Sequence, residues 1–226
     1  MTRMLGSATE LPEFFQLFPL TEMAPPPLFF LAAYGTYTST PILAAFAEEL
    51  GAYGWWTRST VREFLRFTGR TLAGKTPSGQ YLALDLDKYD FKAYSYARED
   101  GLVIVLIAAS TYPATFAQHL LDLAASVYSD SRWMLERRDV TEPRAAYQQL
   151  MAKYQEPVDS LQRTREKIAE VKQVALITID KLLARGEKIE LLVADSNDLS
   201  ETSKKFYRES QNANSCCWRW FGWRRH

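Results

Sequence analysis

The sequence predicts an α+β fold, a sheet covered by helices, followed by a long heptad-patterned helix. Three observations carry this reading. Strand-like and helix-like runs follow one another from Leu28 to Lys153 in the order strands, helix, three-strand meander ending in the fifth strand, helices. The segment "YQEPVD" then breaks the chain at Pro157. Beyond it, steps of alternately three and four residues from Leu161 to Ala213 trace a mostly apolar seam.

Each element has a local reason. "LFFLAAYGT" (Leu28 to Thr36) reads as the first strand. Ser59 or Thr60 can cap a helix with Glu63 in the capping-box position, and Val61, Phe64, Leu65, Thr68 and Leu72 then share a face. "QYLALDLDK" from Gln80 alternates Tyr81, Ala83 and Asp85 against Leu82, Leu84 and Leu86, as a half-buried strand does. "FKAYSYARED" and "LVIVLIAAS" meet at Asp100 and Gly101, a hairpin signal. The second of these runs is continuously apolar and belongs in the middle of the sheet. Pro113 opens another helix with Phe116, Leu120, Leu123 and Val127 on its stripe, and a short helical piece covers Tyr147 to Lys153.

The seam holds Leu161, Thr164, Ile168, Val171, Ala175, Thr178, Leu182, Arg185, Ile189, Leu192, Ser196, Leu199, Ser203, Phe206, Ser210 and Ala213. These are heptad a and d positions, and as one helix they would form a rod of roughly 80 Å. Arg185 is the only charge among them. A guanidinium facing such a seam without partners costs about 3 to 5 kcal/mol. Its five planar donors suit several amide or carboxylate oxygens at once. On the residues alone, Arg185 is either a register-setting polar group in a homodimer or the match to acceptors on other helices.

Composition excludes much else. With 27 basic and 27 acidic side chains in 226 residues, no charge excess points to nucleic acid. The two cysteines, Cys216 and Cys217, are adjacent, which suits neither a fold-stapling disulfide nor a zinc site, so a reducing, cytosolic setting is expected. The longest apolar run, Leu102 to Ala109, is eight residues, against roughly 20 for a membrane-spanning helix. Any membrane attachment is therefore expected through lipid or an interfacial segment.

One catalytic motif has to be weighed. Gly69 to Thr76 spells "GRTLAGKT", a full match to the phosphate-loop pattern G-x-x-x-x-G-K-T. That chemistry needs a strand before the loop and a helix after it, whereas a helical run precedes and a turn and strand follow here. The stretch therefore reads as a helix end and loop. His119 and His226 lack a nucleophile and acid at motif spacing, and the acidic stretch Asp85 to Asp90 reads as a solvated strand end. No enzyme, catalytic residue, metal or cofactor is expected.

The segment Leu182 to Cys217, "LLARGEKIELLVADSNDLSETSKKFYRESQNANSCC", resembles the C-terminal half of the R-SNARE motif in the lipid-anchored longin-type members of the synaptobrevin superfamily. Arg58 to Gln80, "TYPATFAQHLL" and "KYQEP" resemble the first helix and loop, the second helix and the interdomain link of the same family. The resemblance implies a longin (profilin-like) domain with an antiparallel five-stranded sheet and helices on both faces. It implies that Arg185 meets glutamines from three partner helices (Qa, Qb and Qc), with Leu161, Ile168, Val171, Leu182, Ile189, Leu192, Leu199 and Phe206 in the seam. It implies vesicle fusion in the secretory or endosomal system, with the protein cycling between the cytosol and the cytosolic face of Golgi, ER-derived vesicle or endosomal membranes. The longin domain would fold back on the SNARE segment through a groove that includes Phe64 and Phe67. A longin and coiled-coil adaptor or tether without fusion activity is the alternative.

The expected organisation is an N-terminal extension (1–27), the longin domain (28–153), a linker (154–160), the R-SNARE motif (161–215) and a cysteine and aromatic tail (216–226). The family ends three residues after its second cysteine in a prenylated C-a-a-X box, whereas nine residues, "WRWFGWRRH", follow Cys217. Either the last exon is misread or the tail is a replacement anchor, in which Trp218, Trp220 and Trp223 with three arginines suit an anionic interface. Cys216 and Cys217 are the lipidation candidates. The first 22 residues resemble neither the family nor a signal peptide, and Met23 is an alternative start.

Overall fold

The computed structural model describes residues 27–86, 91–129, 131–155, 174–183 and 187–212. Its strands are β1 (Leu28–Gly35), β2 (Ile42–Glu48), β3 (Tyr81–Leu86), β4 (Phe91–Ala97), β5 (Leu102–Ala109) and β6 (Val174–Thr178). Its helices are α1 (Trp55–Lys75), α2 (Ala114–Ser126), α3 (Ala145–Tyr154), α4 (Ile179–Leu182), α5 (Ile189–Asp195) and α6 (Glu201–Asn212), with a 3-10 turn at Ser131–Leu135. The sheet order is β2-β1-β5-β4-β3-β6.

β1 and β5 are buried along their whole length, as the continuous apolar run of β5 requires. One face of the sheet packs on α1 through Phe30, Tyr34, Phe46 and Val105 against Val61, Leu65 and Leu72. The other packs on α2 and α3 through Leu31, Ile104 and Leu106 against Phe116, Leu120, Tyr147 and Tyr154. A bulge between Leu28 and Phe30 places both Phe29 and Phe30 in the α1-side core. The β4–β5 hairpin turns at Gly101, whose φ of 89° is a left-handed conformation that glycine adopts without strain.

Two expectations change. The sheet has six strands and is mixed, because β6, from within the expected coiled-coil seam, pairs parallel to β3 with Ala83 opposite Leu176. The described part of the seam is also not one rod but β6, α4, α5 and α6 in succession. Ile189, Leu192 and Leu199 of the seam pack against α1 instead, and the β-branched Val174, Ile177 and Thr178 suit a strand. Local details shift as well. α1 begins at Trp55 with Gly54 as an N-cap lacking a side-chain bond, so neither Ser59 nor Thr60 caps it. On α2, Ala117, Leu121, Ala124 and Ala125 are buried beside Phe116 and Leu120, while Val127 is exposed.

α3 ends in a clip. Gln155 accepts a hydrogen bond from Leu28 N at 3.0 Å and donates to Leu28 O at 2.6 Å, completing both backbone groups of that β1 residue as a neighbouring strand would. The domain's first strand and its exit point are thereby joined.

α1 approaches the sheet closely at Gly69, where an added Cβ would lie 2.7 Å from Tyr34 Oη and 3.2 Å from Phe30 Cε1. Gly69→Ala should lower stability by about 1 to 2 kcal/mol in denaturant titration, overpacking outweighing the helix-propensity gain. Gly74→Ala, whose Cβ would sit 3.5 Å from Pro41, should stabilise by about 0.5 kcal/mol. Equal effects at the two glycines would remove the close-packing argument.

Candidate functional site

α1 has two apolar faces. Val61, Leu65, Leu72 and Ala73 face the sheet. Phe64 and Phe67, at i and i+3, lie on a second stripe and form a separate cluster with Val193, Leu199 and Tyr207, edged by Ile189 and Leu192. Phe64 and Phe67 are only 8% and 9% exposed because α5 and α6 cover them.

Polar contacts fasten the same surface. Arg70 grips Asp198 with both ends of its fork, Nε to Oδ2 at 2.6 Å and Nη2 to Oδ1 at 2.9 Å. The same Nη2 reaches Asp139 Oδ2 at 2.6 Å, and Nη1 donates to the Pro41 carbonyl. Burial works against the Arg70 charge, but its hydrogen bonds to the Asp198 and Asp139 carboxylates outweigh it and raise its pKa. The guanidinium also stands 5.7 Å from the Tyr34 ring, and burial pushes the Tyr34 phenol well up, so it stays neutral and donates to the Arg66 carbonyl at 3.2 Å. About two turns away on α1, Glu63 Oε2 accepts from both Ser200 N and Ser200 Oγ at 2.8 Å. Lys75 pairs with Glu187 at 2.6 Å. An open cleft of about 540 Å³ remains between these contacts, floored by Phe67, Arg70 and Leu192 and walled by Pro41, Asp139 and Asp195.

The expected site residues separate into three groups. Phe64 and Phe67 meet Ile189, Leu192 and Leu199 of the seam in one cluster. Leu182 lies instead with Ile177 against the α1-side core, and Phe206 lies on α6. Arg185, Leu161, Ile168, Val171, Cys216, Cys217, Trp218, Trp220 and Trp223 fall outside the described residues. The Arg70 clasp, the Glu63–Ser200 bonds and the β3–β6 pairing went unread in the sequence. Their partners lie 93 to 137 residues apart and share no local pattern.

The phosphate-loop match lies in the last turns of α1, where Lys75 is paired as above and Thr76 Oγ1 donates to Leu72 O at 2.7 Å. His119 is half-buried beside the Tyr154 ring, and burial lowers its pKa. No helix among the described residues is long and apolar enough to cross a membrane.

The Synaptobrevin family matches residues 160–224. VAMP-like protein YKT61 of Arabidopsis thaliana is 34% identical over 184 residues, 79% of this chain and 91% of that protein. Synaptobrevin homolog YKT6 of Eremothecium gossypii is 35% identical over 178 residues, covering 76% and 88%, and its Saccharomyces cerevisiae counterpart 33% over 177, covering 75% and 88%.

Arg70→Ala should strand Asp198, whose side chain is 9% exposed, at a cost of about 3 kcal/mol. Amide exchange across α5 and α6 should then rise by about tenfold or more while β1 and β5 keep their protection. Unchanged exchange in α5 and α6 would show that the clasp does not hold the segment.

Proposed function

Because the chain belongs to the YKT6-like longin R-SNAREs of the synaptobrevin family, which are not enzymes, we propose that it stores its SNARE segment on its own longin domain. Released, that segment supplies the arginine-bearing helix of a four-helix complex in vesicle-membrane fusion. The observation that supports storage is a conflict of contacts. Ile189, Leu192 and Leu199 occupy seam positions, yet the same side chains pack in the Phe64 and Phe67 cluster. A side chain buried against α1 is absent from the bundle core, so the two arrangements exclude each other.

In the assembled state Arg185 meets three glutamines, one from each of the Qa, Qb and Qc helices, and its planar donors satisfy their amide oxygens. Membrane attachment is peripheral, through lipid on Cys216 or Cys217 or through the tail's Trp218, Trp220 and Trp223. The protein cycles between the cytosol and the cytosolic face of Golgi, ER-derived vesicle or endosomal membranes. Storage keeps the apolar seam out of water and away from wrong partners while the protein is off the membrane.

Phe67→Glu should open the molecule, since a buried charge costs a few kcal/mol and moves a balanced equilibrium more than tenfold. Faster exchange over 187–212, a larger hydrodynamic radius and faster binding to glutamine SNAREs are expected with the sheet intact. Unfolding of the whole domain would make Phe67 plain core. An intact domain with unchanged exchange and radius would remove fold-back through this groove.

Arg185→Ala should weaken assembly with cognate glutamine SNAREs and slow liposome fusion, leaving each partner amide unpaired at about 1 to 3 kcal/mol. Unaltered assembly, or a stable helical homodimer of the 161–213 peptide in sedimentation, would favour the adaptor reading.

A further inference from the structure

We propose that Asp139 is a resident counter-ion for Arg70, which weakens the clasp on the C-terminal segment and so sets how readily that segment leaves the domain. The inference rests on the storage reading and adds to it the group that tunes the balance. Two carboxylates share one guanidinium. Asp198, on the segment, takes Nε and Nη2 at 2.6 and 2.9 Å. Asp139, on the domain between the 3-10 turn and α3, takes the same Nη2 at 2.6 Å and Nη1 at 3.3 Å. Arg70 is thus paired with one acid more than its charge requires.

Asp139 is fixed by the domain. Its Oδ1 accepts from Leu43 N at 2.8 Å, and Val140 N donates to Leu43 O at 2.9 Å, so residues 139 and 140 bond both backbone groups of Leu43 on the edge strand β2. Neither of these bonds involves the segment. The Asp139 side chain is 43% exposed against 9% for Asp198, and it walls the open cleft. Departure of the segment therefore removes Asp198 and leaves Arg70 with Asp139 and the Pro41 carbonyl.

Charge then decides the direction of the effect. Asp198 docks on a pair that is already neutral, and it meets the like charge of Asp139 across the shared Nη2. Its attraction is reduced to little more than its own hydrogen bonds. Without Asp139 the same approach would bring an anion to an uncompensated cation at a partly buried site, where charge attraction is stronger. The open state shifts in the same sense, because the vacated Arg70 keeps a carboxylate only while Asp139 is there. Removing the charge from the domain should therefore tighten the contact that removing it from the segment loosens.

The test is hydrogen exchange on the full chain. Asp139→Asn and Asp139→Ala, which differ in the acceptor they leave for Leu43 N, should both slow exchange across α5 and α6 by about fivefold and delay binding to glutamine SNAREs. Asp139→Glu, which keeps the charge, should stay near the parent, and Asp198→Asn should speed exchange in the same helices. Damage to the domain would also speed exchange, so the sign separates tuning from disruption. In an Asp198→Asn background, Asp139→Asn should no longer slow exchange, since there is no second acid to share Arg70. Raising salt from about 50 to about 500 mM should speed exchange more in Asp139→Asn than in the parent, because only there does an anion dock on a bare cation. Unchanged or faster exchange in both Asp139→Asn and Asp139→Ala, with Asp198→Asn faster than the parent, would overturn the tuning role and leave storage standing. A slowing that persists in the Asp198→Asn background would overturn it too. Exchange indifferent to Asp198→Asn would overturn storage through this clasp, and the inference with it.

Discussion

One helix serves two surfaces, and the rest of the molecule depends on it. α1 gives Val61, Leu65 and Leu72 to the sheet and Phe64 and Phe67 to the returning C-terminal segment. Both jobs meet within one turn: Gly69 lets the backbone close on Tyr34, and Arg70 passes beside the Tyr34 ring to reach Asp198. A change at the sheet contact is therefore felt at the groove, because packed interiors transmit small displacements rather than absorbing them. The domain is both a stable core and the receptor for its own tail half.

Much of the core was legible because its signals are local. β1, β3, β4 and β5 follow from runs and alternation, and the β4–β5 turn from Asp100 and Gly101. β2 was counted but not placed; "ILAAFAE" is apolar and Ala-rich, a composition that suits a helix as well as a buried strand. The capping box was a false start. Glu63 sits where a cap acceptor would, but it faces Ser200, the last residue before α6, and helps to cap that helix instead.

The candidate site was half legible for a deeper reason. The segment from Val174 to Asn212 carries two patterns, and its heptad spacing and its β-branched residues point in different directions. The heptad spacing suits a long helix, whereas "VALIT" forms the strand β6. The heptad spacing spans far more residues than the five of "VALIT" and so dominates the sequence. Phe67 could be placed beside the core stripe from helical geometry alone. Arg70, Asp139 and Asp198 could not, since an ion pair across 128 residues leaves no trace in local spacing.

The Gln155 clip has a mechanical consequence. Any pull on the C-terminal segment is transmitted up the chain to Gln155, the last described residue before that segment, and Gln155 is tied to both backbone groups of Leu28. Tension along the chain is thus delivered to β1, a strand flanked on both sides by β2 and β5, where several backbone bonds share the load. A strand bonded on both sides yields to such a pull only if two ladders of backbone bonds part together, so the core resists where an edge strand would peel.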